Sequence, residues 1–200
     1  RKDSGIQNLR ELPGLVDPKI AIEVGSPFQT FLWKSGGWAG KVSPVPYGGS
    51  VGPFLAGAVT GQQAYITSEP CVARQGGVDV EFLEARQVGW NPYGTLLAVA
   101  DPAPEWAAEF VHATQAGWKA YLTSPDRANA HIASLNEQLT PELVDCITAA
   151  QRPFVLGGEG LGAMSEDRWE DMARQLVSIG LLSEGARAEG AWAEPWMGAP

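Results

Sequence analysis

Lys19-Ile20-Ala21-Ile22-Glu23-Val24-Gly25-Ser26-Pro27 holds a strand, a break and a helix start in one short run. The β-branched residues of Lys19–Val24 favour an extended chain. Gly25 interrupts it, and Ser26 followed by Pro27 has the form of an N-cap and first helical position. Phe28, Phe31 and Leu32 then recur at helical spacing as far as Lys34. Gly36-Gly37 supplies the stop.

The pattern repeats outward from this unit. Lys41–Pro46 reads as a strand carrying Val42 and Val45, and its two prolines assign it to an edge or shorten it. Tyr47-Gly48-Gly49-Ser50 is a turn into a helix around Val51 to Val59. Gln63–Thr67 is the next strand, Ser68-Glu69-Pro70 opens a short helix, and Val78–Leu83 is extended again. Strands alternating with helices across short glycine-rich links predict an α/β fold with a largely parallel sheet under helices. Residues 1–18 read as a surface connection ending at Asp17-Pro18.

Beyond Tyr93 the apolar run Gly94–Ala100 predicts a strand, after which helices dominate. Trp106, Phe110, Thr114, Trp118 and Tyr121 mark one face of a helix over Glu105–Leu122. Ser124-Pro125 and Thr140-Pro141 each restart a helix by hydroxyl capping. The last helix, from Ser165 to about Ile179, presents Trp169, Met172, Ala173, Leu176 and Val177 inward and stops at Gly180. A change of composition near Val88–Pro92 divides the chain into residues 1–88, an α/β lobe, and 89–200, a helical portion.

The 200 residues are 44% apolar and carry a formal charge of -9, with the 14 Lys and Arg spread singly. No basic stripe exists to neutralise a phosphate backbone, so nucleic acid is excluded as a partner. No apolar window is long enough to cross a membrane. Two isolated cysteines, Cys71 and Cys146, and two histidines, His112 and His131, lack zinc-site spacing, so neither a metal nor a cofactor is expected. A disulfide and two separate buried thiols are both open, the thiols being favoured. No nucleophile elbow or triad can be assembled, so no catalytic residue is assigned.

Candidate ligand-binding residues lie at the predicted strand ends, where parallel sheets collect ligands. Gly25 and Ser26 form a helix start with backbone donors, and Ser26 also serves as a cap to its own helix. Gly49 and Ser50 offer a second donor loop, without the lysine and glycine spacing of a phosphate-binding loop. Tyr65 and Thr67 share one face of a strand. Glu69 stands where it can accept from a ligand N–H or complement the helix dipole. Asn91, held extended before Pro92, and Tyr93 supply an amide and an aromatic face.

These segments together resemble the NMT1/THI5-like group of ABC-transporter substrate-binding proteins, with its nitrate-, sulfonate- and taurine-type members. The resemblance rests on Lys19–Ser26, Tyr65-Ile66-Thr67-Ser68-Glu69-Pro70, Asn91-Pro92-Tyr93-Gly94, the Ala113–Trp118 helix with Ser124-Pro125, and the Met164–Gly180 helix. It implies a type II periplasmic-binding-protein fold, with residues 1–88 as the second lobe and 89–200 as the crossing strand and helical C-terminal part of the first. It further implies that about a hundred residues, the scale of one domain, precede Arg1 in that family, and that a dimer or a separate chain completes the lobe otherwise. The function implied is capture of a small polar or heterocyclic, pyrimidine-like solute for an ABC permease. The implied location is periplasmic or extracytoplasmic, by a signal or lipid anchor in the preceding segment. The alternatives are a thiamin-pyrimidine precursor enzyme of the same family, whose cysteine-rich motif has no counterpart here, and a sensory or protein-interaction module.

Overall fold

The computed structural model describes residues 1–157 and 160–193. Among the described residues two compact units emerge: residues 1–92 with 167–188, and residues 93–157 and 160–166 with 189–193. The last helix, grouped by sequence with 89–200, thus packs with the first unit. Among the described residues no helix is long and apolar enough to cross a membrane.

The first unit is built on three parallel strands, β1 (Lys19–Ile22), β2 (Ser43–Pro46) and β3 (Gly61–Gln62), in the order β2-β1-β3. Helices α1 (Pro27–Lys34), α2 (Gly52–Leu55) and α3 (Glu69–Gln75) follow the strands in turn. Parallel neighbours need such crossovers, and this is the mixed α/β class expected from the alternating sequence. The strand period of two sends Ile20 and Ile22 to one face of the sheet and Ala21 to the other. Ile20 and Ile22 pack with Leu32 of α1, Trp38, Val42, Leu9 and Leu12. Ala21 meets Phe54 of α2, Val59 and Ala73 of α3.

Helix α1 begins as its sequence dictates. Ser26 Oγ accepts the Gln29 N–H at 3.1 Å, and Gln29 Oε1 accepts the Gly25 N–H at 2.8 Å. Gly25 has φ +85°, a conformation costly for residues with a Cβ. The far side of α1 places Phe31 5.1 Å and Phe28 5.9 Å from the ring of Trp90, beside Ile179. Trp90 is therefore a core residue.

Helix α7 (Glu166–Ser178) closes this aromatic cluster with Met172 and Leu176. Gly180, at φ +79°, ends it: its N–H bonds to Val177 O and that of Leu181 to Leu176 O, a Schellman arrangement. Lys34 Nζ adds a 2.6 Å bond to Ile179 O at that same end, where a cation opposes the partial negative charge.

Several expectations need correction. Residues 1–18 are more than a surface connection, because a 3-10 turn over Leu9–Gly14 buries Leu9 and Leu12. The third strand is Gly61–Gln62 and not Gln63–Thr67. Pairing with β1 ends where Gln63 N reaches Ala21 O at 2.7 Å, and the chain then turns through Ser68 N to Tyr65 O. Helix α2 covers only Gly52–Leu55 of the expected span, since Gly57 at φ +73° diverts the chain. Val78–Leu83 forms no regular strand. Neither cysteine is a free thiol, and both are disulfide-bonded; separation in sequence gave no guide to this.

The second unit contains α4 (Ala107–Thr123), α5 (Asp126–Leu135) and α6 (Pro141–Val155). Thr140 Oγ1 caps α6 by accepting the Leu143 N–H, as predicted, whereas no side chain caps α5. A buried polar cluster ties the three helices together. Tyr121 Oη lies 2.8 Å from Asn129 Oδ1 and 2.7 Å from Thr148 Oγ1, and Asn129 Nδ2 donates to Asp145 Oδ1 at 2.8 Å. Asn129 and Thr148 are both buried, so this satisfaction is necessary. The predicted strand Gly94–Ala100 is irregular, with Leu96, Leu97 and Val99 exposed. Trp106 and Phe110 are also exposed, so α4 buries Ala107 and Leu122 rather than the whole predicted aromatic face.

Candidate functional site

The three parallel strands end together, and the loops that follow them carry most of the predicted site. Tyr47 N bonds to Ile22 O at 3.1 Å, and Glu23 N to Gln63 Oε1 at 3.0 Å, which binds the first residues beyond all three strands into one edge. At the carboxyl edge of such a sheet backbone groups leave the ladder and become available to side chains or ligands.

Glu69 is the organising residue. Its Oε1 accepts from Tyr47 Oη at 3.1 Å, and its Oε2 accepts from Tyr65 N at 2.8 Å and from Ser68 Oγ. A carboxylate offers about four lone-pair sites, and these three donors leave acceptor capacity on Oε1. The group is half-buried, so a fourth donor would meet a fixed anion that needs little reorganisation. Glu69 also opens α3, where its place in the first turn suits the expected complement to the helix dipole, and it fixes the preceding loop through Tyr65 N.

Tyr47 stays a neutral donor over a wide pH range. Partial burial pushes its phenol above the ordinary 10.0, and the charge and hydrogen bond of Glu69 push it further in the same direction. Tyr65 is anchored by its backbone while its side chain is 65% exposed, which leaves the ring outside the core. Thr67 is half-buried on the same loop, but its predicted facing with Tyr65 depended on a strand that is absent here.

The two donor loops are satisfied largely by their own residues. Gly25 and Ser26 are engaged with Gln29 as described, so Ser26 fills its capping role. Ser50 Oγ accepts the Gly52 N–H at 3.1 Å, and Gly49 turns the chain at φ +74°. Gly25, Gly49 and Ser50 are exposed and Ser26 is half-buried, and both loops follow strands of the sheet.

Asn91 and Tyr93 do not join this constellation. Arg168 of α7 donates to Asn91 O at 2.7 Å, to Asn91 Oδ1 at 3.3 Å and to Pro92 O at 2.7 Å, fixing the segment within the first unit. Tyr93 belongs to the second unit, where its Oη receives the Ser165 N–H at 2.7 Å. Among the described residues no group of three or more His, Cys, Asp or Glu side chains is arranged to hold a metal.

Sequence reasoning missed Tyr47, Gln63 and Arg168. Tyr47 and Gln63 each come directly after a strand, and a rule admitting every polar residue at that position would have found both. Arg168 gave no such signal, because its partners lie far away along the chain.

No curated protein and no solved structure matches this chain. The NMT1/THI5-like family model matches residues 1–128, which take in the sheet, the Glu69 cluster and α4. With that match and a small parallel sheet consistent with a periplasmic-binding-protein-like fold, the chain belongs to the NMT1/THI5-like family.

Proposed function

We propose that this chain is the solute-capturing component of an ABC importer, working outside the cytoplasm and delivering a small nitrogen-bearing heterocycle to a permease. The observation that carries this reading is the Glu69 carboxylate, fixed by Tyr47, Tyr65 and Ser68 at the carboxyl edge of the sheet. A fixed acceptor beside an exposed aromatic ring suits a flat solute with an amine or ring N–H. Nitrate or a sulfonate needs cationic donors, and the edge loops 23–26, 47–51 and 63–69 hold no Lys or Arg.

In this account Glu69 accepts the solute N–H, Tyr65 supplies a stacking face, and the loops at Gly25-Ser26 and Gly49-Ser50 border the site. Thr67 contributes a hydroxyl from the same loop, while Asn91 and Tyr93 act by shaping the chain beyond it. No side chain is assigned a catalytic role, and the solute leaves unchanged.

Native mass spectrometry of the full-length protein after gentle purification tests this. Retention of a nitrogen heterocycle, released with its mass unaltered, is expected. Retention of an oxyanion, or release of a chemically altered molecule, would overturn the reading.

A further inference from the structure

The order β2-β1-β3 leaves one edge of β3 outside any ladder. Gln63 N reaches Ala21 O, so the alternation of a strand turns the N–H and C=O of Gln62 away from β1. Residues 78–83 run beyond that edge. Val78 and Val80 pack with Ala21 and Phe54, whereas Leu83 packs with Ile20 and Trp38 on the opposite face of the sheet. Side chains that alternate between the two faces place this segment in the plane of the sheet. Yet among the described residues it pairs with no strand. Between it and β3 lies a cavity of about 190 Å³, lined by residues 60–64 on one side and 80–83 on the other. The cavity also has walls on both faces, Leu32 and Trp38 on one, Phe54 and Ala73 on the other.

Each face carries a buried polar group without a hydrogen-bond partner. Both amide atoms of Gln62 and Nε of Arg1 are so placed, as is the indole Nε1 of Trp38. Gln62 shares the Ala21 face because the two residues pair in register. Arg1 is tied to that face by a 2.7 Å bond from Nη2 to Leu55 O. The other polar groups at the cavity are already engaged. Ser4 Oγ donates to Arg1 O, Thr60 Oγ1 and Gln63 Oε1 accept the N–H groups of Lys19 and Glu23, and Glu69 is held by Tyr47, Tyr65 and Ser68. Glu81 is exposed to water. Native interiors pair nearly all their buried polar groups, because an unmade bond costs the full desolvation of the donor or acceptor. Orphaned groups on both faces of one gap point to an occupant that reaches both. A compact ligand lies on one face of a sheet, whereas a strand sends successive side chains to opposite faces.

We infer that this gap is a docking slot for an extended peptide segment of a partner protein, added to the sheet as a fourth strand beside β3. The backbone of the segment pairs with the N–H and C=O of Gln62. The side chain next to Gln62 is an Asn or Gln, whose amide supplies the acceptor and donor that Gln62 lacks and whose oxygen also accepts from Arg1 Nε. The neighbouring residue faces Trp38 and is a Ser or Thr, its hydroxyl oxygen accepting the indole N–H. Aliphatic residues on either side of it lie against Ile20 and Leu32. Strand addition of this kind draws affinity from the backbone and specificity from alternate side chains. The slot does not depend on which solute Glu69 accepts.

The probe is the pentapeptide acetyl-Ile-Ala-Thr-Asn-Val-amide, which directs Ile, Thr and Val to the Trp38 face and Ala and Asn to the Gln62 face. It is titrated into the nitrogen-15-labelled 200-residue chain and into the full-length protein, with NMR as the readout. Saturable shifts of the Gln62 side-chain amide and the Trp38 indole, with slowed exchange of the Gln62 backbone N–H, are expected in both. The same peptide N-methylated along its backbone should produce none of these. Gln62→Met keeps the length of the side chain and removes both amide atoms, and should weaken the probe by roughly tenfold or more. A probe with Leu in place of Asn should bind that variant at least as tightly as it binds wild type. Unchanged Gln62 and Trp38 signals at millimolar probe would overturn the inference, as would equal affinity of the N-methylated peptide. Binding to the 200-residue chain but not to the full-length protein would overturn the partner, since the longer chain then covers its own slot.

Discussion

Replacing Glu69 separates its charge from its hydrogen bonding. Glu69→Ala removes the acceptor for Tyr47 Oη, Tyr65 N and Ser68 Oγ together. Bonds to a charged group are each worth about 1.5–3 kcal/mol. The Tyr65 N–H is exposed and regains water, however, so the net loss should be about 1–2 kcal/mol. Glu69→Gln keeps one oxygen at the Tyr65–Ser68 side, and Tyr47 Oη can accept from the new amide. Neutral bonds are roughly half as strong as charge-assisted ones, so this variant should lose about 0.5–1 kcal/mol. Urea denaturation at neutral pH measures both. The charge has a second signature in Tyr47. A phenol whose folded value is raised above 10.0 contributes stability that is fully present below pH 10.0 and is lost as pH climbs through the higher folded value. Glu69→Gln removes the smaller electrostatic causes and leaves burial, the largest, so the Tyr47 midpoint should fall toward 10.0 without reaching it. Phenolate absorbance, taken as the difference from Tyr47→Phe, reports that midpoint. Equal stability of wild type and Glu69→Ala, or a Tyr47 titration unmoved by Glu69→Gln, would refute the cluster as described.

Two further outcomes follow from packing. Leu32 is 1% exposed between α1 and the sheet, and Leu32→Ala should cost about 2–5 kcal/mol in urea denaturation. Asn129→Ala removes the α5 partner of Tyr121 in α4 and of Thr148 and Asp145 in α6, leaving Tyr121 and Thr148 bonded to each other, and should cost about 1–3 kcal/mol. The same denaturation experiment checks it, with hydrogen exchange showing whether the loss is confined to those helices.

The parts of the fold legible in sequence are those fixed by local chemistry. Ser26 and Pro27 set the start of α1 and Gly180 sets the end of α7, because capping and left-handed turns depend on neighbouring residues alone. Parallel pairing is not local, and there the expectations failed. The alternation of Gln63, Tyr65 and Thr67 satisfies a strand period, yet Glu69 draws the Tyr65 N–H into a turn and pairing ends at Gln62. Gly94–Ala100 has strand composition, but among the described residues no partner strand pairs with it. On α4 the spacing of Trp106 and Phe110 defined a face without defining what would cover it. At the site, Glu69 stood out as a carboxylate at a helix start beside Tyr65 and Thr67, though the helix dipole alone could account for it. Tyr47 was hidden in a turn whose glycines drew the eye, and the orphaned Gln62 amide could only be seen with its surroundings in place.

The central claim, that Glu69 receives the N–H of a captured heterocycle, is tested most directly by calorimetric titration of the full-length protein. The solutes are 4-amino-2-methylpyrimidine, nitrate and methanesulfonate, each against wild type and Glu69→Ala. The account predicts saturable binding of the aminopyrimidine alone, weakened by roughly ten- to a hundredfold in Glu69→Ala through loss of a charge-assisted bond. Tighter binding of either oxyanion, or an aminopyrimidine affinity indifferent to Glu69, would contradict it.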